Sequence, residues 1–185
     1  MKVAVIYHTY DGHTREIAER IARVQEEGGR TVELLPVEEA PECLMGYGAV
    51  IAGGAIHIGH HDRSLRDYVK RHAGDLSTIP SAFFSVSLSA AGDETEREAA
   101  SCYVEELIRE SGWHPDAVAM FGGALQYTHY GFVKRKVMQA IARRGGKPSD
   151  GKRDYELTDW DAVDRFARDM LHLIEARGEA QPQWD

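Results

Sequence analysis

Short apolar runs rich in β-branched residues alternate along the chain with longer segments whose apolar residues recur at helical spacing. The short runs predict five strands, at residues 3–7, 31–37, 48–53, 81–86 and 117–125. Several of these runs are apolar at nearly every position, as strands covered on both faces require. The alternation is typical of βαβ units around a parallel sheet. We therefore expect an α/β fold with a doubly wound, five-stranded parallel sheet.

The segments between these runs predict helices. The first begins at Thr14 and ends at the Gly28–Gly29 pair, and two more cover residues 62–72 and 95–111. Residues 41–45 are only weakly helical. The last helix begins at Thr158, in a sequence that resembles a capping box. We expect one domain over residues 1–178 and a flexible tail over 179–185.

Ligands of doubly wound sheets bind outside the carboxyl ends of the strands, so we expect the functional residues in the loops there. The turn after the first strand leads into a helix, where unpaired backbone N–H groups and the helix dipole favour an anion. Its two threonines add hydroxyl donors, and its glycine permits a tight bend. An ordinary capped turn is the alternative. We predict a phosphate-binding turn formed by Thr9, Tyr10, Asp11, Gly12, His13 and Thr14.

The loops after the third and fourth strands predict a site for a planar ring. Glycines and small side chains in the first of them let the backbone approach such a ring closely. Hydroxyl and peptide groups in the second can bind its polar edge, although a plain polar loop is the alternative. The candidates are Ala55, Ile56, His57, Ile58 and Gly59 in one loop, and Ser85, Val86, Ser87, Leu88 and Ser89 in the other.

Three histidines near the first of these loops, His57, His60 and His61, raise the question of a metal. The only nearby carboxylate is Asp62, and no cysteine is close in sequence. Zinc and iron sites in proteins draw on such ligands. We therefore expect no metal, and histidines that face solvent or a bound ring.

Composition and charge argue against several classes of function. Apolar residues make up 43% of the chain, charged residues 28%, and the net charge is -8. The acidic balance argues against nucleic-acid binding. No apolar run approaches the roughly 18 residues of a membrane-spanning helix. The N-terminal residues read as a first strand rather than a signal peptide, so we expect a cytoplasmic protein.

The charge is unevenly distributed along the chain. Residues 126–153 carry eight basic residues against one acid, Asp150, a net of +7, while the rest of the chain carries -15. We predict a basic insertion over residues 126–154 with an amphipathic helix over 132–144. Residues 155–158 resume the sheet, so the insertion is an excursion within or beside the fifth strand. Such a segment could dock on an anionic membrane surface, attract an acidic substrate or partner, or form a solvated face.

At the three loops together the chain resembles the flavodoxin superfamily, above all in Thr9-Tyr10-Asp11-Gly12-His13-Thr14-Arg15-Glu16-Ile17-Ala18. Within it, the chain resembles the menaquinone-dependent protoporphyrinogen oxidases of bacterial haem biosynthesis. The later matches are the more specific, because electron-carrier flavodoxins lack the basic insertion. They are Gly123-Ala124-Leu125 with Tyr127 and Tyr130, and Tyr155 with Thr158-Asp159-Trp160.

This resemblance implies bound FMN, oxidation of protoporphyrinogen IX to protoporphyrin IX, and transfer of the electrons to menaquinone or another respiratory quinone. It also implies peripheral contact with an anionic membrane surface. The basic insertion would then hold the substrate or the membrane through Tyr127, His129, Tyr130, Lys134, Arg135, Lys136, Arg143 and Arg144. A flavodoxin-type electron carrier and an NAD(P)H:quinone reductase are the alternatives. His57, His60, Tyr127 and His129 are candidate proton acceptors, and we expect none of them to be indispensable.

Overall fold

A computed structural model describes residues 1–125, 127, 128, 136, 139, 142, 146, 150, 151 and 153–179. Its strands are β1 (Lys2–His8), β2 (Thr31–Pro36), β3 (Ala49–His57), β4 (His60–His61), β5 (Ser81–Ser87), β6 (Ala117–Gly122), β7 (Ala124–Leu125) and β8 (Tyr155–Glu156). The helices are α1 (His13–Glu27), α2 (Arg63–Arg71), α3 (Ala73–Leu76), α4 (Glu94–Ser111) and α5 (Trp160–Glu179), with 3-10 turns at Val37–Glu39 and Ser89–Ala91.

The main sheet has the strand order β2-β1-β3-β5-β6, and all these strands are parallel. β1 lies between β2 and β3, where Val5 pairs with Leu34 on one side and with Ile51 on the other. The short strand β4 pairs antiparallel with the end of β3. The predicted doubly wound, five-stranded parallel sheet is therefore confirmed, with one short antiparallel addition.

Helices cover both faces of this sheet, which explains the continuous apolar runs of β1, β3 and β5. α1 and α5 pack on one face, and α2 and α4 pack on the other. Arg20 of α1 forms a bidentate salt bridge with Asp164 of α5, in which Nε and Nη2 donate to the two carboxylate oxygens at 2.6 and 2.7 Å. On the opposite face, the fully buried Trp113 donates its indole N–H to Ser81 Oγ at 3.0 Å. Full burial of a large apolar side chain stabilises the folded state by about 1.5–3 kcal/mol.

The connection after β2 differs from the sequence prediction. Residues 41–45 form no helix, and the only helical geometry between β2 and β3 is the 3-10 turn at Val37–Glu39. This turn follows directly from β2 and packs its buried Val37 against the core. Burial of the Val37 side chain therefore determines the position of this turn, which lies earlier in the chain than the local sequence predicts.

The fifth predicted strand is interrupted. β6 ends at Gly122, and the next residues, β7, pair antiparallel with β8 in a separate two-stranded sheet. Leu157 crosses so close to Gly122 that an added Cβ would lie 2.2 Å from its carbonyl oxygen. The prediction that residues 155–158 return to the main sheet is wrong, because these residues pair beside it.

The start of the last helix also differs from the prediction. α5 begins at Trp160, and Asp159 caps it by accepting a hydrogen bond from the Ala162 N–H at 3.0 Å. Thr158 does not cap the helix, because its hydroxyl donates to the Gly122 carbonyl at 2.7 Å. The side chain of Thr158 thus makes a tertiary contact instead of the helix cap that the sequence predicts.

The basic insertion lies largely outside the described residues. Of the predicted helix over 132–144, residues 136, 139 and 142 are described, and these three are helical. Its other residues lie outside the described part of the chain, as do His129, Tyr130, Lys134, Arg135, Arg143 and Arg144. Tyr127 and Lys136 are described. Residues 180–185 of the expected tail are also outside. Among the helices of the described residues, none is both long and apolar enough to span a membrane.

Candidate functional site

A cleft lies at the carboxyl ends of the parallel strands and brings the three predicted loops together. Its floor and walls come from the turn after β1, the end of β3 and the loop after β5, with the β6–β7 junction closing one side. The residues that line it are Thr9, Tyr10, Asp11, His13, Thr14, Ala55, Ile56, His57, Val86, Ser87, Leu88, Gly123 and Ala124.

The start of α1 forms one end of this cleft. Gly12 adopts a left-handed conformation with φ of 92°, and no side chain caps the helix. Thr9 Oγ1 accepts a hydrogen bond from Gly12 N–H at 3.0 Å, which closes the turn. Because the next two N–H groups open a helix, those of His13 and Thr14 have no intrahelical acceptor. This end of the cleft therefore offers backbone donors and a helix dipole to an anion.

Aromatic side chains form a wall at the rim. Tyr10 donates its hydroxyl hydrogen to Asp62 at 2.8 Å, and its ring centroid lies 4.6 Å from that of His57. Asp62 is itself held as the cap of α2, where it accepts from Ser64 N–H at 2.8 Å. Burial, and then the hydrogen bond to Asp62, raise the pKa of Tyr10 to about 12. Tyr10 therefore stays neutral near pH 7, and its ring is fixed beside His57.

The loop after β5 contributes Val86, Ser87 and Leu88 to the lining. Ser87 Oγ accepts a hydrogen bond from Ala90 N–H at 3.1 Å, which orders the loop. Ser85 lies on the other face of the sheet, buried, with its Oγ 2.9 Å from His61 Nε2. In β5, Ser85 lies on the opposite face from Val86, because neighbours in a strand face opposite sides, and its hydroxyl contacts His61 rather than the cleft.

Five of the predicted binding residues are not among the residues that line the cleft. Ser85 is buried behind the sheet, and the rest lie at loop positions around the rim. They are Gly12, Ile58, Gly59, Ser85 and Ser89. Gly123 and Ala124, in contrast, line the cleft although sequence reasoning did not place them there. Their position at the end of the fifth predicted strand was the signal that could have found them.

The three histidines of the second loop occupy different environments. His57 is exposed and lines the cleft, and the side chain of His60 is 59% exposed, 3.5 Å from Glu106. His61 is buried, and burial, followed by the nearby charges of Arg66 and His60, lowers its pKa to about 4. Within the described residues, no group of three or more His, Cys, Asp or Glu side chains could hold a metal ion.

Comparison with known families adds to this geometry. Residues 4–152 match the flavodoxin domain family, which is more than half of the chain. The chain belongs to the flavodoxin family. Two solved structures agree in fold. A flavodoxin from the domain Archaea has a TM-score of 0.54 at 17% identity and covers 95% of this chain and 99% of its own. Flavodoxin 1 from Bacillus cereus has a TM-score of 0.53 at 17% identity, with coverages of 93% and 98%.

Two curated relatives are more similar in sequence to this flavodoxin-family chain. One from Escherichia coli K12 is 34% identical over 176 residues, which are 95% of this chain and 97% of the relative. One from Leishmania major is 34% identical over 174 residues, which are 93% of this chain and 75% of the relative. Both are named protoporphyrinogen IX dehydrogenase (quinone). The similarity therefore extends beyond the turn at residues 9–14 to nearly the whole chain.

The two described residues of the predicted docking set lie beside the cleft strands. Tyr127 is fully buried with Leu125 and Ala142, and its ring centroid is 6.4 Å from that of Tyr155. Lys136 is exposed. Tyr127 is therefore part of the packing where the insertion begins in this flavodoxin-family chain. Lys136 places a charged side chain at the surface.

The hairpin between β3 and β4 carries backbone strain at the edge of the cleft. Its two-residue turn has positive φ at both positions, 50° at Ile58 and 81° at Gly59, as in a type I′ turn. A β-branched residue in this conformation costs roughly 1–2 kcal/mol. Ile58 is 87% exposed, so packing does not offset the strain.

Replacing Ile58 with asparagine is expected to raise the free energy of unfolding by about 1 kcal/mol, because asparagine tolerates the left-handed region. Urea denaturation measures the change. Met45→Asn is the control, since Met45 is 89% exposed and has an ordinary φ, and we expect it to change stability by less than about 0.5 kcal/mol. Equal effects in the two variants would contradict strain at Ile58.

Proposed function

We propose that this chain is an FMN-dependent dehydrogenase that oxidises protoporphyrinogen IX to protoporphyrin IX and passes the electrons to a quinone. The observation that carries the proposal is the 34% identity to the Escherichia coli dehydrogenase along 97% of that relative. Flavodoxin relatives alone would support many redox roles, because a fold does not fix a function. The extended similarity narrows the role to this oxidation.

The chemistry of the cleft fits a phosphate joined to a planar ring. At one end are the helix N-terminus, the hydroxyl of Thr14 and the backbone N–H groups of the turn, which suit a phosphate. Elsewhere in the lining, Tyr10, Ile56 and Leu88 supply apolar and aromatic surface, which suits a ring. The small residues Gly123 and Ala124 leave room beside the ring. We infer that these groups hold FMN.

Each protein group then has a positioning role. The turn fixes the phosphate, the Tyr10–His57 pair covers the ring, and the loop around Ser87 offers peptide groups to its polar edge. When bound, FMN supplies the two-electron acceptor that no side chain provides. The protein contributes orientation and electrostatics.

The basic insertion supports a finer proposal about partners. Its +7 charge suits the two propionates of a tetrapyrrole and an anionic lipid surface in which a quinone dissolves. We infer menaquinone or another respiratory quinone as the acceptor, and a cytoplasmic protein that contacts the inner face of the membrane peripherally. Co-sedimentation with anionic vesicles tests the contact, which should weaken as salt screens the charges.

No single candidate base should be indispensable. His57 and His60 are exposed, so protons released from the substrate can pass directly to water. Alanine variants of His57, His60, Tyr127 and His129 are each expected to keep turnover within about tenfold of the original, well short of the roughly 10²–10⁴-fold that a positioned general base contributes. A loss beyond about 100-fold in one FMN-loaded variant would identify a required base.

An anaerobic half-reaction separates the proposed oxidation from the alternatives. FMN-loaded protein is mixed with protoporphyrinogen IX, with NADH or with NADPH, and the flavin absorbance is followed. We expect bleaching by protoporphyrinogen IX and none by the nicotinamides. Bleaching only by NAD(P)H would indicate a quinone reductase. Bleaching only by a reduced protein partner would indicate an electron carrier.

A further inference from the structure

The imidazole of His13 is buried beneath the turn that precedes α1 and is hydrogen-bonded at both nitrogens. It is 7% exposed and lines the cleft. Nδ1 lies 3.1 Å from Glu16 Oε2, and Nε2 lies 2.6 Å from Thr158 Oγ1. The ring is thus fixed between the first turn of α1 and the residues that lead into α5.

The partners determine how many hydrogens this ring carries. Thr158 Oγ1 is 2.7 Å from the Gly122 carbonyl, which can only accept, so the single hydroxyl hydrogen lies there. Thr158 Oγ1 must then accept from His13 Nε2–H. The Glu16 carboxylate likewise accepts from Nδ1–H. Two N–H donors on one imidazole make His13 an imidazolium cation.

The surroundings of the ring are consistent with this charge. The carboxylate of Glu16 faces it from α1, and Asp11 lies in the same turn. From the start of α5, the Trp160 ring lies 6.1 Å away. Among the neighbouring carboxylates, Asp159 accepts from Ala162 N–H and Glu156 accepts from the Trp160 indole N–H. The nearby cations of α1 are paired, Arg15 with Glu19 and Arg20 with Asp164. The charged group in contact with the ring is thus the carboxylate of Glu16.

We propose that His13 is a fixed cation under the phosphate-binding turn and that its charge determines the preference for FMN over riboflavin, which lacks the phosphate. The proposal rests on the proposed FMN function. His13 acts as a positioning residue as well, since its bond to Thr158 joins the turn to the chain returning from the basic insertion. The cation adds to the helix dipole at the same place, and both favour a phosphate dianion.

The first test is ligand affinity as a function of pH. Dissociation constants for FMN and riboflavin are measured by flavin fluorescence from pH 5.5 to 9 in the original protein and in His13→Gln. We expect His13→Gln to bind FMN about 10- to 100-fold more weakly than the original protein. Riboflavin affinity should be equal in the two proteins.

A matched control uses a second histidine on a helix. His172 also has a glutamate three residues later, with Nδ1 3.8 Å from Glu175 Oε2, but its side chain is 79% exposed on α5. His172→Gln should retain the original pH profile. An equal loss in His172→Gln, or a loss in His13→Gln that extends to riboflavin, would overturn the proposal.

The second test reads the ring directly and needs no variant. Nitrogen NMR of the ¹⁵N-histidine-labelled, FMN-bound protein should show hydrogen on both ring nitrogens of His13 at pH 7. A neutral His13 would overturn the inference while leaving the proposed function intact. Failure to bind FMN at any pH would instead contradict the proposed function, so the two failures are distinguishable.

Discussion

Replacing Thr14 with valine is expected to weaken FMN binding by about 10- to 100-fold and to leave riboflavin binding unchanged. Thr14 is the second residue of α1, is 2% exposed and lines the cleft. Valine keeps the shape of threonine and removes only the hydroxyl. A hydrogen bond to a charged group contributes about 1.5–3 kcal/mol, which corresponds to this change in dissociation constant. Quenching of flavin fluorescence measures both affinities.

Thr95→Val provides the control for this substitution. Thr95 is the second residue of α4, as Thr14 is of α1, but it is exposed and lies away from the lining of the cleft. Its replacement should leave both affinities as they were. If Thr14→Val binds FMN as well as the original protein does, or loses FMN and riboflavin equally, the phosphate does not lie at this helix start.

Acidification should destabilise the protein through His61. Burial, and then the charges of Arg66 and His60, lower its pKa from 6.5 to about 4 in the folded state. The neutral ring contributes its full stability above pH 6.5. As the pH falls from 6.5 to 4, the unfolded chain binds a proton that the folded protein does not, so stability is lost across this window. The loss should be about 3 kcal/mol.

Urea denaturation at several pH values measures this effect against two variants. His61→Gln keeps a polar partner for Ser85 and should lose most of the additional destabilisation between pH 6.5 and 4. His114→Gln removes an exposed histidine and should follow the original protein. Parallel curves for the original protein and His61→Gln would contradict the role of the buried ring.

This acid sensitivity bears on the cleft. His61 forms β4 and pairs with Ile56, which lines the cleft. Protonation of His61 would place a charge beneath this hairpin, so the walls around the ring should loosen before the rest of the sheet. Because the pKa of His61 in the folded state is about 4, release of FMN is therefore expected as the pH approaches 4.

The central sheet could be predicted because its signal is local. The apolar runs of β1, β3 and β5 are buried on both faces, and burial of this kind leaves a continuous pattern in the sequence. Strand order then follows from the short list of right-handed arrangements. The three binding loops follow from the strands, since all of them lie at the carboxyl edge.

The remaining features depend on contacts between distant parts of the chain. Thr158 reads locally as a helix cap, yet its hydroxyl binds Gly122, which lies 36 residues earlier. Ser85 reads as a ligand-binding loop residue, yet strand alternation turns it towards His61. The β3–β4 hairpin escaped prediction because Ile58 is an unusual residue for a left-handed turn position. For Thr158 and Ser85 the deciding partner is not a sequence neighbour, whereas the turn at Ile58 is a local conformation that its residue type does not predict.

Anaerobic turnover is the most direct test of the proposed activity. Purified FMN-loaded protein is mixed with protoporphyrinogen IX and a menaquinone analogue, and porphyrin fluorescence is followed against a sample without quinone. The proposed function predicts porphyrin formation that continues through many turnovers only when quinone is present. A flavin that stays oxidised in the presence of protoporphyrinogen IX, with no porphyrin formed above the background, would contradict it.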